Sequence, residues 1–284
     1  ADITTVIVKD ADRGGIFNRI VFTTADNGTI FSGNGYSWVR PYSGAVNVKW
    51  FGAVGDIGTD DTAVFNGIVS GMLLGTIPLS DIYVPAGSYY VTSILIYPIT
   101  RATIRIIGAG VNNTIFYKFD ASTTPVFDLN GATVGGLGVS SVFALENFRI
   151  GGNAKTHNGI NVSVMAQFRI DSVRIENCNI GLYSLGSLIF SCRSSYFGSN
   201  NYGFTADKTV SLSYSNSITF YSCMFQSNSE HGIFLNAGNR ISFQNCDIES
   251  NGINTNLPVY ISTSYSDEAG ISSVDFSSCH FESN

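Results

Sequence analysis

The chain of 284 residues predicts an all-β fold, a parallel β-helix in which short strands wind into stacked coils. Three observations carry that expectation: one phrase recurs six times between residues 143 and 284, its apolar spacing is that of strand interrupted by a corner, and the composition suits a solenoid. The phrase is clearest around three cysteines. Ile218, Phe220, Cys223, Phe225, Ser227 and Asn228 form one copy, followed by Ile241, Phe243, Cys246, Ile248, Ser250 and Asn251, and then by Val274, Phe276, Cys279, Phe281, Ser283 and Asn284. Phe190, Cys192, Ser195, Phe197, Ser199 and Asn200 place serine in the cysteine slot, and Phe143, Leu145, Phe148, Ile150, Gly152 and Asn153 place phenylalanine there. Val173, Ile175, Cys178 and Ile180 read as a copy that drops the Ser-Asn ending.

Within the phrase, apolar residues lie two apart, then three, then two. Spacing of two is a strand with one face buried, and the step of three turns a corner. The residue before each reference position is Asn147, Asn177, Ser194, Ser222, Asn245 or Ser278, small and polar as a tight turn requires. A second, glycine-led strand follows most copies: Gly159–Val162, Gly181–Tyr183, Gly203–Thr205 and Gly232–Leu235. The reference positions 148, 178, 195, 223, 246 and 279 lie 30, 17, 28, 23 and 33 residues apart, so each coil holds three short strands joined by loops of variable length. The repeated asparagines at 153, 200, 228, 251 and 284 read as a structural ladder, since asparagine tolerates turns and can hydrogen-bond to the coils above and below.

Charged residues make up only 13% of the chain, as expected of a solenoid rich in turn residues. A formal net charge of −6 without a basic run argues against a nucleic-acid partner. No stretch is long and apolar enough to span a membrane, and no secretory signal opens the chain. The five cysteines are expected to be small buried hydrophobes, with Cys223 and Cys246 in a thiol ladder rather than a disulfide, and the absence of CxxC or His/Cys clusters argues against zinc. No cofactor, metal or clustered set of calcium ligands is expected.

Residues 1–45 predict a small β region: an apolar run from Ile3 to Val8, a turn at Asp12–Gly15, a hairpin centred on Asn27-Gly28, and a strand over Tyr36–Arg40. From residue 46 the β-helix domain is expected to run to 284, incomplete at its C-terminal end because the last coil stops in mid-turn. Phe65, Ile68, Val69, Met72 and Leu73 share one face of a helix over 61–74, with Asp60 or Asp61 as N-cap and Gly75 as stop. Such a helix can cover the open strand edges at the first coil. The alternative, a phosphate cradle at Gly52, Gly55 and Gly58, lacks a following lysine and a βαβ frame. Further short strands are read between Ile82 and Leu129, and a glycine-rich loop over 131–141.

Val48-Lys49-Trp50-Phe51-Gly52-Ala53, Gly55-Asp56, Thr59-Asp60-Asp61-Thr62-Ala63, Ile82–Tyr89 and Ile106–Gly110 resemble, in order, the opening of the pectate-lyase-like superfamily of β-helix proteins. Gly14-Gly15-Ile16-Phe17, Asn27–Phe31 and Trp38-Val39-Arg40 resemble the segment that precedes the solenoid in bacteriophage tailspikes. The resemblance implies a right-handed helix, a homotrimer, and the binding and cleavage of a bacterial surface polysaccharide, capsule or O-antigen. It also implies a place in the virion tail, synthesis in the host cytoplasm, action at the bacterial surface, and a head- or neck-like role for residues 1–45 in attachment to tail or baseplate proteins. Two alternatives are a spike that binds its receptor without turnover, and a cellular polysaccharide lyase or hydrolase.

Functional side chains on such a scaffold should point outward and break a column. Gln226, Glu249 and Glu282 share a slot in successive coils, and stacked carboxylates are raw material for an acid–base pair that cleaves a glycosidic bond, so hydrolysis is favoured over elimination. Asp247 and His280 share another outward column, and Glu230 and His231 precede the Gly232 strand. Glu230, Glu249 and Glu282 are therefore the candidate catalytic residues, with His231 and Asp247 beside the sugar; the alternative for each is a solvated surface charge. Tyr183, Phe234 and Tyr260 are expected in one outward row, offering flat faces to sugar rings or to a neighbouring subunit. His157, with Lys155, is expected to be solvated in a loop.

Overall fold

The computed structural model describes residues 4–96, 103–131, 142–208, 215–255, 257–262 and 271–283. From Val46 onward the described strands pair in parallel, coil on coil, on three faces. The first face starts at Val46–Asn47 and Ile82–Val84 and ends at Ser272–Ser277. The second runs from Gly87–Val91 and Thr114–Lys118 to His280–Glu282, and the third from Ile94–Ile96 to Val259–Ile261. Two strands, Val142–Gly151 and Ala166–Glu176, continue through the corner from the first face to the second.

The corner residues explain the spacing. Asn147, Ser194, Ser222, Asn245 and Ser278 have φ of 59°, 47°, 51°, 51° and 54°. A left-handed residue turns the strand at little cost when its side chain is short and polar. One copy is phased differently in the fold than its residue spacing predicts. Phe148 pairs with Val173 and Ile150 with Ile175, so the reference residue of that coil is Val173, and its corner is Ser172 at φ 54°. Cys178 therefore lies five residues on, in the slot that Asn200, Asn228 and Asn251 fill in later coils, and Asn177 belongs with Ser199, Ser227, Ser250 and Ser283 at a second left-handed corner. The Ser-Asn ending is present there as Asn-Cys. The difference arises because asparagine suits both corners and cysteine suits both inward slots.

The interior is a set of apolar columns. Phe220 and Phe243 are fully buried and their rings stack 4.9 Å apart; Phe276 continues the stack 4.8 Å further on. All five cysteines are free thiols, and the Cys223 and Cys192 sulfurs lie 3.7 Å apart. At the second corner the asparagines form a ladder. Asn228 Oδ1 accepts from the Asn200 backbone N–H at 3.1 Å while its Nδ2 donates to the Phe197 carbonyl at 3.0 Å, and Asn251 repeats the pattern on Asn228 and Phe225. That buried, satisfied network marks these residues as scaffold. Asn284, read as its last member, lies outside the described residues, as does most of the glycine-rich 131–141 segment.

The helix Thr62–Leu73 buries Phe65, Ile68, Val69 and Met72 and closes the open edge of the first coil with side chains. Thr62 Oγ1 accepts from the Thr92 N–H, Asn66 Oδ1 from the Leu95 N–H, and Asn66 Nδ2 donates to the Ser93 carbonyl. These are edge groups that an earlier coil would otherwise pair. Asp61 is the N-cap residue, but its buried carboxylate turns away from the helix to accept from the N–H groups of Val54 and Gly55, and Asp60, one residue earlier, accepts from the Thr62 N–H.

Ahead of the coils, Thr5–Val8, Gly15–Val21, Tyr36–Val39 and Ile30–Gly33 form, in that spatial order, an antiparallel sheet. Its two-residue hairpin is Asn34-Gly35, both left-handed, rather than Asn27-Gly28. At the latter site Asp26 accepts from the N–H groups of Gly28, Thr29 and Ile30 and holds a loop. Both positions carry the same dipeptide; pairing of the flanking strands separates them. The sheet meets the solenoid at Trp50, where the Arg40 guanidinium lies 4.5 Å from the indole centre.

Candidate functional site

The Ser-Asn corner between the second and third faces divides the candidate residues into two neighbouring groups. Register on the third face aligns Asp128, Asn161, Tyr183, Thr205, Phe234 and Tyr260 in one outward column. Phe234 and Tyr260 stack 4.9 Å apart and nearly parallel. His231, expected beside them, is buried, with its ring 5.4 Å from Phe234, 5.6 Å from Tyr260 and 5.7 Å from Tyr202, and Nδ1 2.6 Å from the Leu257 carbonyl. Tyr202 was not among the sequence candidates, although it pairs with His231 across one coil. Burial and the Glu230 carboxylate push its phenol pKa up. Glu230 accepts from Asn254 Nδ2 at 2.7 Å. Tyr183 shares the column, but Thr205 stands between it and Phe234.

On the second face, one outward column reads Gly151, Glu176, Gly198, Gln226, Glu249 and Glu282. Gln226 Nε2 donates to Glu249 Oε2 at 3.0 Å. Asp247 lies 3.2 Å from His280 Nδ1, and His280 Nε2 lies 3.8 Å from Glu282. Glu249 and Glu282 are thus direct cross-strand neighbours, whereas Glu230 lies around the corner: Glu249 comes two residues before Asn251, and Glu230 two residues after Asn228. The three glutamates do not share one strand face.

Two residues that could do chemistry, Glu176 and Asp128, lie outside the sequence candidates, and a third, His157, sits otherwise than its sequence predicts. Glu176 belongs to the glutamate column but is hidden by the phasing of its coil; it is buried against Arg149 and Arg174. Asp128 sits in the aromatic column, between Leu95 and Asn161, and burial pushes its carboxyl pKa up. Its only sequence signal is a charge at an outward strand position. His157, expected to be solvated, is instead buried. Its ring nitrogens have no hydrogen-bond partner among the described residues, and burial, reinforced by Lys118, lowers its pKa to about 4. Lys118 is itself buried, donating to Thr124 Oγ1 at 2.6 Å and paired with Asp120 at 3.1 Å. Among the described residues, no group of three or more His, Cys, Asp or Glu side chains is placed to hold a metal ion.

Residues 45–256 match the family described as rhamnogalacturonase A/epimerase, pectate lyase-like. A capsule K3-specific depolymerase of Klebsiella phage KP32 is 37% identical over 94 residues, which is 29% of this chain and 11% of that protein. Among solved structures, the tailspike gp49 of Acinetobacter baumannii bacteriophage Fri1, a capsular polysaccharide depolymerase, superposes with a TM-score of 0.69 at 12% identity over 95% of this chain and 53% of its own. WceF of Pantoea stewartii, a glycan biofilm modifying enzyme with a tailspike-like parallel β-helix, gives 0.64 at 17% identity over 95% and 43%. The chain therefore spans about half or less of the length of these relatives, and the two structural likenesses bear on the fold alone.

Proposed function

Because the chain belongs to the rhamnogalacturonase A/epimerase, pectate lyase-like family, we propose that it is a bacteriophage tailspike that binds and depolymerises a bacterial surface polysaccharide. The observation that carries this reading is the outward row of Phe234 and Tyr260, packed on the buried His231 ring and set beside the carboxylates of Glu230 and Glu249 across one corner. Flat aromatic faces suit the C–H faces of sugars, and an extended polymer matches rows that run from coil to coil. The relative from Klebsiella phage KP32, a capsule K3-specific depolymerase, adds support.

Hydrolysis is the favoured reaction. Glu249 and Glu282 sit on paired strands, about 4.8 Å apart at the backbone, a spacing in keeping with the ~5–5.5 Å of retaining glycosidases. One carboxyl would protonate the leaving oxygen while the other attacks or shields the anomeric carbon. Glu230 is the third candidate, with Asp247 and Tyr183 as more distant sugar contacts. The assembly would be a homotrimer located in the virion tail, its N-terminal sheet meeting tail or baseplate proteins. Ile7, Ile16 and Val21 of that sheet, and Phe22 just after it, are exposed, which suits burial in an assembly.

The test incubates purified protein with capsule and O-antigen preparations from a strain panel and reads reducing ends and unsaturated-uronate absorbance. Reducing ends without that absorbance are expected. Glu→Gln at 230, 249 or 282 should cost a catalytic residue orders of magnitude in turnover with melting temperature unchanged. Near-normal activity in all three would place the chemistry elsewhere. Light scattering should give three times the chain mass.

A further inference from the structure

We propose that residues 152–157, in the loop that carries one coil from its second face to its third, form an acid-opened latch, with the buried imidazole of His157 as its pin. The motion belongs to the chain itself and needs no polymer.

The loop is anchored at one end and hinged at the other. The Asn158 carbonyl accepts from the Val126 N–H at 3.1 Å, and the Gly159 N–H donates to the Ile180 carbonyl at 2.8 Å, so the third-face end is tied to the coils on both sides. At the other end stand Gly151 and Gly152, two residues without a Cβ. Between them the backbone docks on the next coil. The Gly152 N–H donates to the Glu176 carbonyl at 2.7 Å, the Lys155 N–H donates to the Asn177 carbonyl at 3.2 Å, and the His157 carbonyl accepts from the Asn179 N–H at 2.7 Å. Lys155 takes φ 53°, and its Nζ lies 3.4 Å from the Asn200 carbonyl. Asn153, Ala154 and Thr156 are exposed, whereas His157 is turned in and is 1% exposed.

The pin is held without solvation. Both ring nitrogens of His157 are buried and have no hydrogen-bond partner among the described residues. A neutral imidazole carries one N–H and one lone pair, so closure leaves a donor and an acceptor unmade. Lys118, from the coil below, acts on the ring as a fixed cation. Its side chain is fully buried, and its ammonium is committed to the Thr92 carbonyl, to Thr124 Oγ1 at 2.6 Å and to Asp120 at 3.1 Å. Asp120, the acid whose field favours a charged His157, is already paired with Lys118 and accepts from Ser122 Oγ at 2.9 Å. The loop's own charged residue, Lys155, is another cation. On the coil above, Glu176 is tied to Arg149 and Arg174, and burial raises the Cys178 thiol to about 12, so it stays neutral.

A proton on His157 therefore adds a second cation beside Lys118 where each acid named is already paired. Burial first, and Lys118 second, hold the closed-loop pKa down to about 4, while a ring released to water titrates near ~6.5. The closed form is thus fully favoured above the upper value and loses about a factor of ten per pH unit as pH falls toward the lower one. Opening breaks the three docking bonds but leaves the asparagine ladder and the phenylalanine columns in place, which makes it a local event.

The test is hydrogen exchange on the full chain, read by mass spectrometry and corrected for the intrinsic effect of pH. The Asn179 amide reports opening, because its N–H is freed when the His157 carbonyl leaves. Between pH 7 and 4.5 its opening constant should rise roughly 70-fold, given a closed pKa of about 4 and an open one of ~6.5. The Asn228 amide, held by Asn251 in the ladder, should keep its protection. A rise shared equally by the two amides is global unfolding and overturns the latch, as does no rise at Asn179. In His157→Leu the Asn179 opening constant should not change with pH, and a rise as large as the native one overturns the assignment to His157. Should that variant fold poorly, the native protein still decides. The His157 Hε1 resonance should titrate well below ~6.5, and a midpoint near ~6.5 with Asn179 still protected means that the closed loop accepts the charge and no latch exists.

Discussion

Inside the coils, Phe220, Phe243 and Phe276 place the same ring in the same slot, and Asn200, Asn228 and Asn251 the same amide at the same corner. On the outside of those coils, one column runs through Gly151, Glu176, Gly198, Gln226, Glu249 and Glu282. The two columns are under different physical constraints. An interior side chain is confined by its equivalents in the coils above and below, so stacking imposes identity. An outward side chain meets solvent or a ligand, so identity there reports what the surface touches.

The comparison breaks first if the interior is not where stability resides. Phe243→Ala should cost about 3–5 kcal/mol, because a fully buried ring is lost from a stack that neighbouring coils cannot collapse to fill. An unchanged midpoint in urea would mean the column does not hold the coils. His157 provides an acid-side test of the same idea. Its folded pKa of about 4 lies below the unfolded value of ~6.5, so the unfolded chain takes up the proton first. Stability should be full above pH ~6.5 and decline as pH falls to about 4, by on the order of 3 kcal/mol. Urea melts at pH 7.5 and 4.5 on the native protein and on His157→Leu should show that loss shrinking in the variant.

Asn228→Ala removes the acceptor of the Asn200 N–H and the donor to the Phe197 carbonyl, and should cost about 1–3 kcal/mol with glycan binding unchanged. Loss of binding without loss of stability would move the ladder from scaffold to site. The smallest effect is expected at Asp128. Burial raises its folded pKa above the unfolded value, so ionisation penalises the fold as pH rises through the unfolded pKa, and the penalty is complete above the folded one. Asp128→Asn should therefore raise the melting temperature at pH 7 and leave it unchanged near pH 3. A gain in stability joined to a loss of turnover would add Asp128 to the catalytic surface.

The chain alone determined the β-helix, the inward phenylalanine and thiol columns, the corner residues of most coils, the covering helix and the row that holds Phe234 and Tyr260. Each follows from a constraint that recurs at every coil and so leaves a period in the residues. Tertiary structure decided the rest. It phased Cys178 to the second corner, chose Asn34-Gly35 over Asn27-Gly28 for the hairpin, and set Glu230 around the corner from Glu249. It also buried His157 and joined Arg149 to Glu176 on the next coil. Those outcomes depend on loops of unequal length and on which side chains meet across them, and a contact made once in the molecule has no repeat by which residue spacing could announce it.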